Sequence, residues 1–202
     1  GLVGYNKGEI QHCTVKNSTV TARYQSVGGV VGTNEGSIAD CAAAHNAVTL
    51  KTSAATMGYT GGFVGSNNRN GSIAQCYVEG GTTAYEGAKG KGAAIGGFVG
   101  ASAASSSKIQ ACYSTADVVS AGEKAGGFVG RAYSGTLENC FATGAVTADK
   151  YVGGFAGELS CTISACYATG DVTSTGANNY FGRFYGDGFP SASNCYYLTT
   201  SS

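Results

Sequence analysis

One short motif recurs seven times along the chain, and a cysteine follows every copy at a similar interval. The motif is a glycine, two apolar residues and a second glycine, and its copies begin at Gly1, Gly29, Gly62, Gly97, Gly127, Gly154 and, in degraded form, Gly182. Each copy leads to an aliphatic residue with a cysteine three positions later: Ile10/Cys13, Ile38/Cys41, Ile73/Cys76, Ile109/Cys112, Leu137/Cys140, Ile163/Cys166 and Ala192/Cys195. Self-similarity at a period of roughly 20 to 50 residues is typical of solenoids and other arrays, whose units bury their apolar faces against their neighbours. The repeat therefore constrains the architecture more than any single residue does.

Three short strands are predicted within each repeat. The first is the Gly-Gly-Phe-Val-Gly segment, the second runs from the aliphatic residue through the cysteine, as in 72–77, and the third resembles 19–21. All are rich in β-branched and aromatic residues, are too short for helices, and are separated by Gly, Asn, Ser and Asp. We therefore predict an all-β fold, a parallel β-helix of about six to seven coils with three short strands per coil. Right-handed winding is expected, because crossovers between parallel strands are usually right-handed.

Two repeats are longer than the others, and their excess is predicted to form loops. Successive ladder cysteines are 28, 35, 36, 28, 26 and 29 residues apart. The two long steps place the extra residues at 51–60 and 83–94. We expect both segments to leave the coil.

The core is predicted to consist of stacked columns of identical residues. Glycines would lie at the corners, because glycine reaches positive φ without a steric penalty. The phenylalanines would face the lumen, while the valine after each would face outwards or lie under a loop. The predicted lumen column contains Leu2, Val30, Phe63, Phe98, Phe128, Phe155 and Phe184.

The cysteines are predicted to form a second core column. Seven of the eight hold one repeat position, so stacking would space them by about 4.8 Å along the axis. Parallel Cβ directions make the disulfide torsion awkward, which favours free buried thiols. The predicted column is Cys13, Cys41, Cys76, Cys112, Cys140, Cys166 and Cys195. Cys161 lies outside this column and is the strongest candidate for any disulfide.

A single repeat domain is predicted over 1–202, with 180–202 as an atypical C-terminal coil or cap, because terminal repeats usually deviate. Twelve Lys and Arg balance twelve Asp and Glu, and no basic cluster is present, so nucleic acid is not an expected partner. No apolar run approaches the roughly 18 residues that span a bilayer, so membrane insertion is not expected. The sequence opens inside a motif and is interpreted as a segment of a larger protein.

The repeat resembles the GLUG repeat, in which U stands for any hydrophobic residue. The resemblance is carried by Gly1-Leu2-Val3-Gly4, by the later Gly-Gly-Phe-Val-Gly copies, and by the aliphatic-x-x-Cys-aromatic-x-x-Gly pattern around Cys76, Cys140 and Cys166. Members of that family are large surface-attached or secreted bacterial proteins, including adhesin-like proteins and the non-catalytic part of some immunoglobulin A metallopeptidases. The resemblance implies an extracellular scaffold at the cell surface or in the secreted fraction.

No catalytic residue, metal ligand or cofactor is predicted. A zinc peptidase needs two histidines at helical spacing with a glutamate between them, whereas His12 and His45 occupy different repeat positions. A cysteine nucleophile needs a neighbouring base, whereas the ladder cysteines have mostly apolar neighbours. Asp117 and Asp171 share a repeat position two coils apart, at the outer limit for an inverting glycosidase pair. They are interpreted as solvated turn residues.

A possible surface-binding stripe follows the cysteine column. Its members are Tyr77, Tyr113, Phe141, Tyr167 and Tyr196. Exposed aromatics could bind sugar rings or a protein, and the alternative is that they pack over the adjacent corner.

The expected function is a non-enzymatic extracellular module, namely a stalk, spacer or adhesive scaffold. Its expected partners are flanking domains of the parent protein and a host protein or glycan. One alternative is a carbohydrate-binding or carbohydrate-cleaving β-helix, and another is an ancillary substrate-positioning domain of a large surface peptidase.

Overall fold

The chain forms a parallel β-helix. The computed structural model describes residues 1–23, 25–52, 58–87, 93–176 and 180–198. In this part of the chain every strand pairing is parallel and joins one repeat to the next, as in Ile38 with Ile73 and Ile73 with Ile109. No helix occurs among these residues, so they contain no helix that is long and apolar enough to cross a bilayer. The predicted fold class is confirmed, with six complete coils and part of a seventh.

Five stacked sheets, numbered by their order within a coil, make up the wall of the β-helix. Sheet 1 contains Val3–Asn6, Val31–Asn34, Val64–Asn67, Val99–Ser102, Val129–Ala132, Ala156–Leu159 and Tyr185–Asp187. Sheet 2 contains Glu9–Gln11, Ser37–Ala39, Ser72–Ala74, Lys108–Gln110, Thr136–Glu138, Thr162–Ser164 and Ser191–Ser193. Sheet 3 contains Thr14–Lys16, Ala42–Ala44, Tyr77–Glu79, Tyr113–Ser114, Phe141–Ala142, Tyr167–Ala168 and Tyr196–Tyr197. Sheet 4 contains Thr19–Ala22, Ala47–Thr52, Thr82–Gly87, Asp117–Ser120, Val146–Ala148 and Val172–Ser174. Sheet 5 contains Ser26–Gly28, Tyr59–Gly61, Ala94–Gly96, Glu123–Gly126, Lys150–Gly153 and Phe181–Gly182.

The three predicted strands have counterparts in the six complete coils, although the first begins only after the predicted lumen residue, and the structure divides the coil further. The second predicted strand bends immediately before the cysteine, which separates sheet 2 from sheet 3. A left-handed residue makes this bend in every coil: His12, Asp40, Gln75, Ala111, Asn139, Ala165 and Asn194, with φ between 51° and 53°. An additional strand, in sheet 5, precedes the glycine pair. The bend was not predicted, because its residues share no side-chain type.

The two long repeats differ from the prediction, because part of their excess lengthens a strand. Ala47–Thr52 and Thr82–Gly87 each have six residues and pair along their whole length. Residues 59 and 60 also belong to a strand, in sheet 5. Ala94 begins the next strand of sheet 5, and residues 53–57 and 88–92 of the two predicted loops lie outside the described residues.

The described residues form two hydrophobic cores, whereas the sequence suggested one lumen. Sheets 1, 2 and 3 enclose the phenylalanine, isoleucine and cysteine columns, while sheets 4 and 5 enclose a smaller aliphatic core that includes Val48 and Ile95. Phe63 and Val64 are both fully buried in the first core, so the prediction that Val64 faces outwards or lies under a loop is wrong. The chain bends at the Gly-Gly-Phe corner, and consecutive side chains there do not alternate as in a straight strand.

Close backbone approach, rather than positive φ, explains the motif glycines. Among the described glycines only Gly80, Gly81, Gly135 and Gly188 have positive φ, and none of them belongs to a Gly-x-x-Gly motif. A Cβ on Gly130 would lie 2.3 Å from the backbone nitrogen of Ile95 in sheet 5. Sheets 1 and 5 thus pack backbone against backbone, at a distance that only glycine permits.

Both ends of the stack are more exposed than predicted. Leu2 is 54% exposed and does not extend the core column. Residues 180–198 form a seventh rung that pairs in register with the sixth, and residues 199–202 lie outside the described part. This rung exposes several large apolar side chains, notably Phe189 at 93%, whereas capping repeats of solenoids have a polar outer face.

Candidate functional site

The predicted cysteine column exists, and all eight thiols are free. The five central members are 1% exposed or less, while Cys13 and Cys195 at the ends are half-buried. Each thiol donates to the carbonyl two residues earlier, for example Cys140 Sγ to Glu138 O at 3.2 Å. The sulfur also accepts a hydrogen bond from the backbone amide of the cysteine in the previous coil. For example, Cys140 N donates to Cys166 Sγ at 3.4 Å. The column therefore satisfies backbone groups at the bend.

The thiols are poorly suited to act as nucleophiles. Burial raises the pKa of Cys112 and of Cys140, and it raises the pKa of Cys161 to about 12. For Cys166, the hydrogen bond with the Cys140 thiol and then burial raise the pKa. Because the thiolate is the reactive species, these shifts oppose catalysis, metal binding and oxidation.

The aromatic residues of the predicted stripe stack face to face on sheet 3. Ring centroids are 5.0 Å apart for Tyr77 and Tyr113, 4.7 Å for Tyr113 and Phe141, and 4.8 Å for Phe141 and Tyr167, with planes within 5° of parallel. Tyr196 pairs in register with Tyr167 and is 67% exposed. Both ring faces of Tyr113 and Phe141 are consequently covered by neighbouring rings.

The covered faces change what the stripe can bind. A sugar stacks on the electron-rich face of an aromatic ring, whereas this ladder presents ring edges to solvent. Tyr77, Tyr113 and Phe141 are half-buried, and Tyr167 is 40% exposed. The stripe's role in binding remains a prediction, and its geometry favours a packing role.

The histidines lie at corners of the coil, whereas Asp117 begins a strand of sheet 4, so the prediction that it is a turn residue is wrong. His12 and His45 have φ of 52° and occupy different corners of the coil. Within the described residues no group of three His, Cys, Asp or Glu side chains could hold a metal ion. Asp117 accepts a hydrogen bond from the amide of Ala145 at 2.9 Å, which ties it to the next coil.

A buried asparagine ladder was missed in the sequence. Asn6 Nδ2 donates to Asn34 Oδ1, and Asn34 Nδ2 donates to Asn67 Oδ1, both at 2.8 Å. Each side chain also bonds backbone groups of the following turn, such as Gly36. The sequence pattern that predicts this ladder is an asparagine two residues after the second motif glycine, and it occurs only in the first three repeats.

A charged cluster and a cleft on the outer side of sheet 1 were also missed. Glu158 contacts Lys124 Nζ at 3.0 Å and Arg131 Nε at 3.5 Å, and the Arg131 guanidinium lies 3.6 Å from the ring centre of Tyr133. Beside Arg131 is a cleft of about 200 Å³. It is lined by Tyr59, Ser66, Asn68, Ala101, Ala103, Arg131 and Tyr133. These residues come from three coils, and no local sequence signal joins them.

Comparison with protein families identifies the repeat. The GLUG motif matches residues 121–147 and 148–173. Residues 121–173 therefore carry two copies of the GLUG motif. Each match starts just before a strand of sheet 5 and ends in or just after sheet 4, so that one GLUG repeat corresponds to one coil.

The fold resembles that of a solved bacterial protein. A crystal structure from Bacteroides ovatus, described as a "putative immunoglobulin A1 protease", superposes with a TM-score of 0.64 at 17% sequence identity. The match covers 94% of this chain and 62% of that one, so this chain spans less than two thirds of its structural neighbour. Comparison with curated proteins finds no match. The likeness shows a shared β-helical fold.

Proposed function

We propose that this GLUG-repeat chain is a non-enzymatic structural or adhesive module that acts outside the bacterial cell. The observation that carries the proposal is that the motif residues have packing roles. The glycines permit close sheet contact, the phenylalanines stack at 4.8 to 5.0 Å, and the cysteines bind backbone groups.

Among stalk, spacer and adhesive scaffold, the lateral surface of the coils suits a scaffold. Seven rungs at a rise of about 4.8 Å create broad lateral faces with rows of outward side chains. Such faces suit contact with flanking domains of the parent protein and with a host protein or glycan.

Several side chains of types that often act in catalysis have packing or hydrogen-bonding roles here, which supports a non-enzymatic function. The central thiols are buried with raised pKa values, and Asp117 holds the amide of Ala145. A carbohydrate-cleaving β-helix would need two converging carboxylates, and the Asp117 carboxylate already accepts a hydrogen bond from a backbone amide.

Protease shaving tests the proposed location. Intact cells producing the full-length parent protein are treated briefly with a protease, and released peptides are identified by mass spectrometry. Peptides from the GLUG repeats should appear in the supernatant while a cytoplasmic marker stays inside the cells. Release only after lysis would contradict an extracellular module.

An ancillary domain of a surface peptidase is a second candidate, which the structural likeness to the Bacteroides ovatus protein favours. In that case the parent protein with and without the repeats should hydrolyse a short peptide equally well. Its kcat/KM for a large protein substrate should fall when the repeats are deleted. Equal kinetics on both substrates would remove this candidate.

A further inference from the structure

The cleft on sheet 1 is a hollow built by a change of residue size along one register column. The column runs from Thr33 through Ser66 and Ala101 to Arg131 and Glu158. The small side chains of Ser66 and Ala101 form the floor, and the large Arg131 side chain closes one end. Two aromatic side chains contribute walls, Tyr59 from sheet 5 and Tyr133 from the turn after sheet 1.

Polar groups in this cleft are oriented by their neighbours. Ser66 Oγ donates to Asn68 Oδ1 at 2.9 Å, which orients the Asn68 amide. The Arg131 guanidinium stacks on Tyr133 and contacts Glu158, so its direction is also set. A hydroxyl, an amide and a guanidinium thus adjoin two aromatic side chains in one concave site. Pockets with aromatic walls and a few directed polar groups are typical of small-molecule sites.

The charges at the closed end of the cleft cancel. Arg131 and Lys124 both contact Glu158, and Asp187 is the register partner of Glu158 in the next rung. Two positive groups therefore contact Glu158, and a second carboxylate lies on the next rung. An anionic ligand would gain little long-range attraction, while a neutral ligand rich in hydroxyl groups could use the same donors and acceptors.

We propose that this cleft binds one neutral pyranose unit of a glycan. The volume of about 200 Å³ is below the range for drug-sized ligands and suits a single ring. The C–H groups on one face of a pyranose can pack on a tyrosine, and its hydroxyls can bond the serine, asparagine and arginine side chains. The site lies away from the aromatic stripe of sheet 3, and it adds a specific binding activity to the proposed scaffold role without depending on it.

Chemical-shift mapping of this chain by NMR tests the proposal. Methyl glycosides of glucose, galactose, mannose and N-acetylglucosamine are titrated separately into isotopically labelled protein, to roughly 50 mM, where millimolar binding is visible. At least one should shift the amides of Ser66, Asn68, Ala101 and Tyr133. Ala103→Phe should fill the cleft and weaken binding at least about tenfold. The matched control is Ser105→Phe, at an exposed position in the same turn but outside the cleft.

Three results would overturn the proposal. One is the absence of any glycoside-dependent shift at the cleft in the unmodified protein, which needs no variant to fold. Another is shifts confined to a different surface, such as sheet 3 around Tyr167. The third is a response of the cleft amides to sodium acetate but to none of the glycosides, which would indicate an anion site. A cleft without sugar affinity would leave the protease-shaving result unaffected, so the two proposals fail separately.

Discussion

A pair of glycine-to-alanine substitutions separates the two physical reasons why a motif glycine could be required. Gly4 and Gly130 hold the same position in the first and fifth copies of the motif, and neither has positive φ. A Cβ on Gly130 would meet Ile95 N at 2.3 Å, whereas a Cβ on Gly4 would meet no atom within 4 Å. If close approach of the sheets is the reason, Gly130→Ala should strongly destabilise the fold, whereas Gly4→Ala should not destabilise it.

The expected magnitudes follow from the contacted atoms. Overpacking costs about 1 to 3 kcal/mol, and the upper value applies to Gly130→Ala because a backbone atom of a paired strand cannot turn aside. Gly4→Ala should change the free energy of unfolding by between zero and about 1 kcal/mol in the stabilising direction, since alanine restricts the unfolded chain. For a chain of this length, a 3 kcal/mol loss lowers Tm by about 6 to 12 °C.

Thermal and urea unfolding, followed by far-ultraviolet circular dichroism, measure the global effect on stability. The first rung can fray independently, so hydrogen exchange of the Val3 amide, which bonds Val30 O at 2.9 Å, reports the local effect of Gly4→Ala. Equal destabilisation by both substitutions, near the 1 to 2 kcal/mol cost of a left-handed alanine, would refute the close-approach argument.

Four further substitutions or conditions have defined outcomes. Asn34→Leu should cost at least about 3 kcal/mol by urea unfolding, because it removes the partners of Asn67 Oδ1 and Gly36 N and the shortest bond of Asn6 Nδ2; a loss below 1 kcal/mol would contradict the ladder. Phe141→Ala should cost about 2 to 3 kcal/mol by removing two stacking contacts, against less than about 1 kcal/mol for Tyr196→Ala at the exposed end. Stability should decline as pH rises from about 8.5 towards 12, because unfolded thiols lose protons near pH 8.5 while burial raises the pKa of Cys161 to about 12; a flat profile in alkaline urea titrations would count against buried thiols. Thiol titration under denaturing, non-reducing conditions should find at least six of the eight cysteines reactive, and two or fewer would show covalent staples.

The sequence carried enough information for the stacked architecture, because one coil is short and its columns repeat. Columns of identical residues, such as the phenylalanines and the cysteines, were predictable, since in a parallel stack equal repeat positions become neighbours. The left-handed bend before each cysteine was not predictable in this way. Residues as different as His12, Gln75 and Ala111 occupy it, so the backbone geometry is common while the side chain is free to vary.

Features that depend on a change between repeats were harder to predict. The cleft exists because Ser66 and Ala101 are small where Arg131 is large, and a search for similarity passes over such differences. The division into two cores was also hidden, because the Gly-Gly corner brings the chain close to sheet 3. A Cβ on Gly127, for example, would lie 3.1 Å from Ala142 Cβ. Repetition thus predicts the scaffold, and departures from repetition mark the places where a site can form.

The free thiols of the cysteine column are compatible with the proposed extracellular location, even though disulfides normally persist there. Oxidation begins with a thiolate, and burial raises the pKa of Cys112 and Cys140 so that the thiolate is scarce at neutral pH. Neighbouring thiols point in the same direction from parallel strands, which opposes the near-perpendicular torsion of a disulfide. Each thiol already donates to a carbonyl at the bend, as Cys140 does to Glu138, so an oxidised column would lose those bonds. A cysteine at this position can therefore serve as a small backbone-binding side chain in an oxidising environment, provided that the stack remains closed around it.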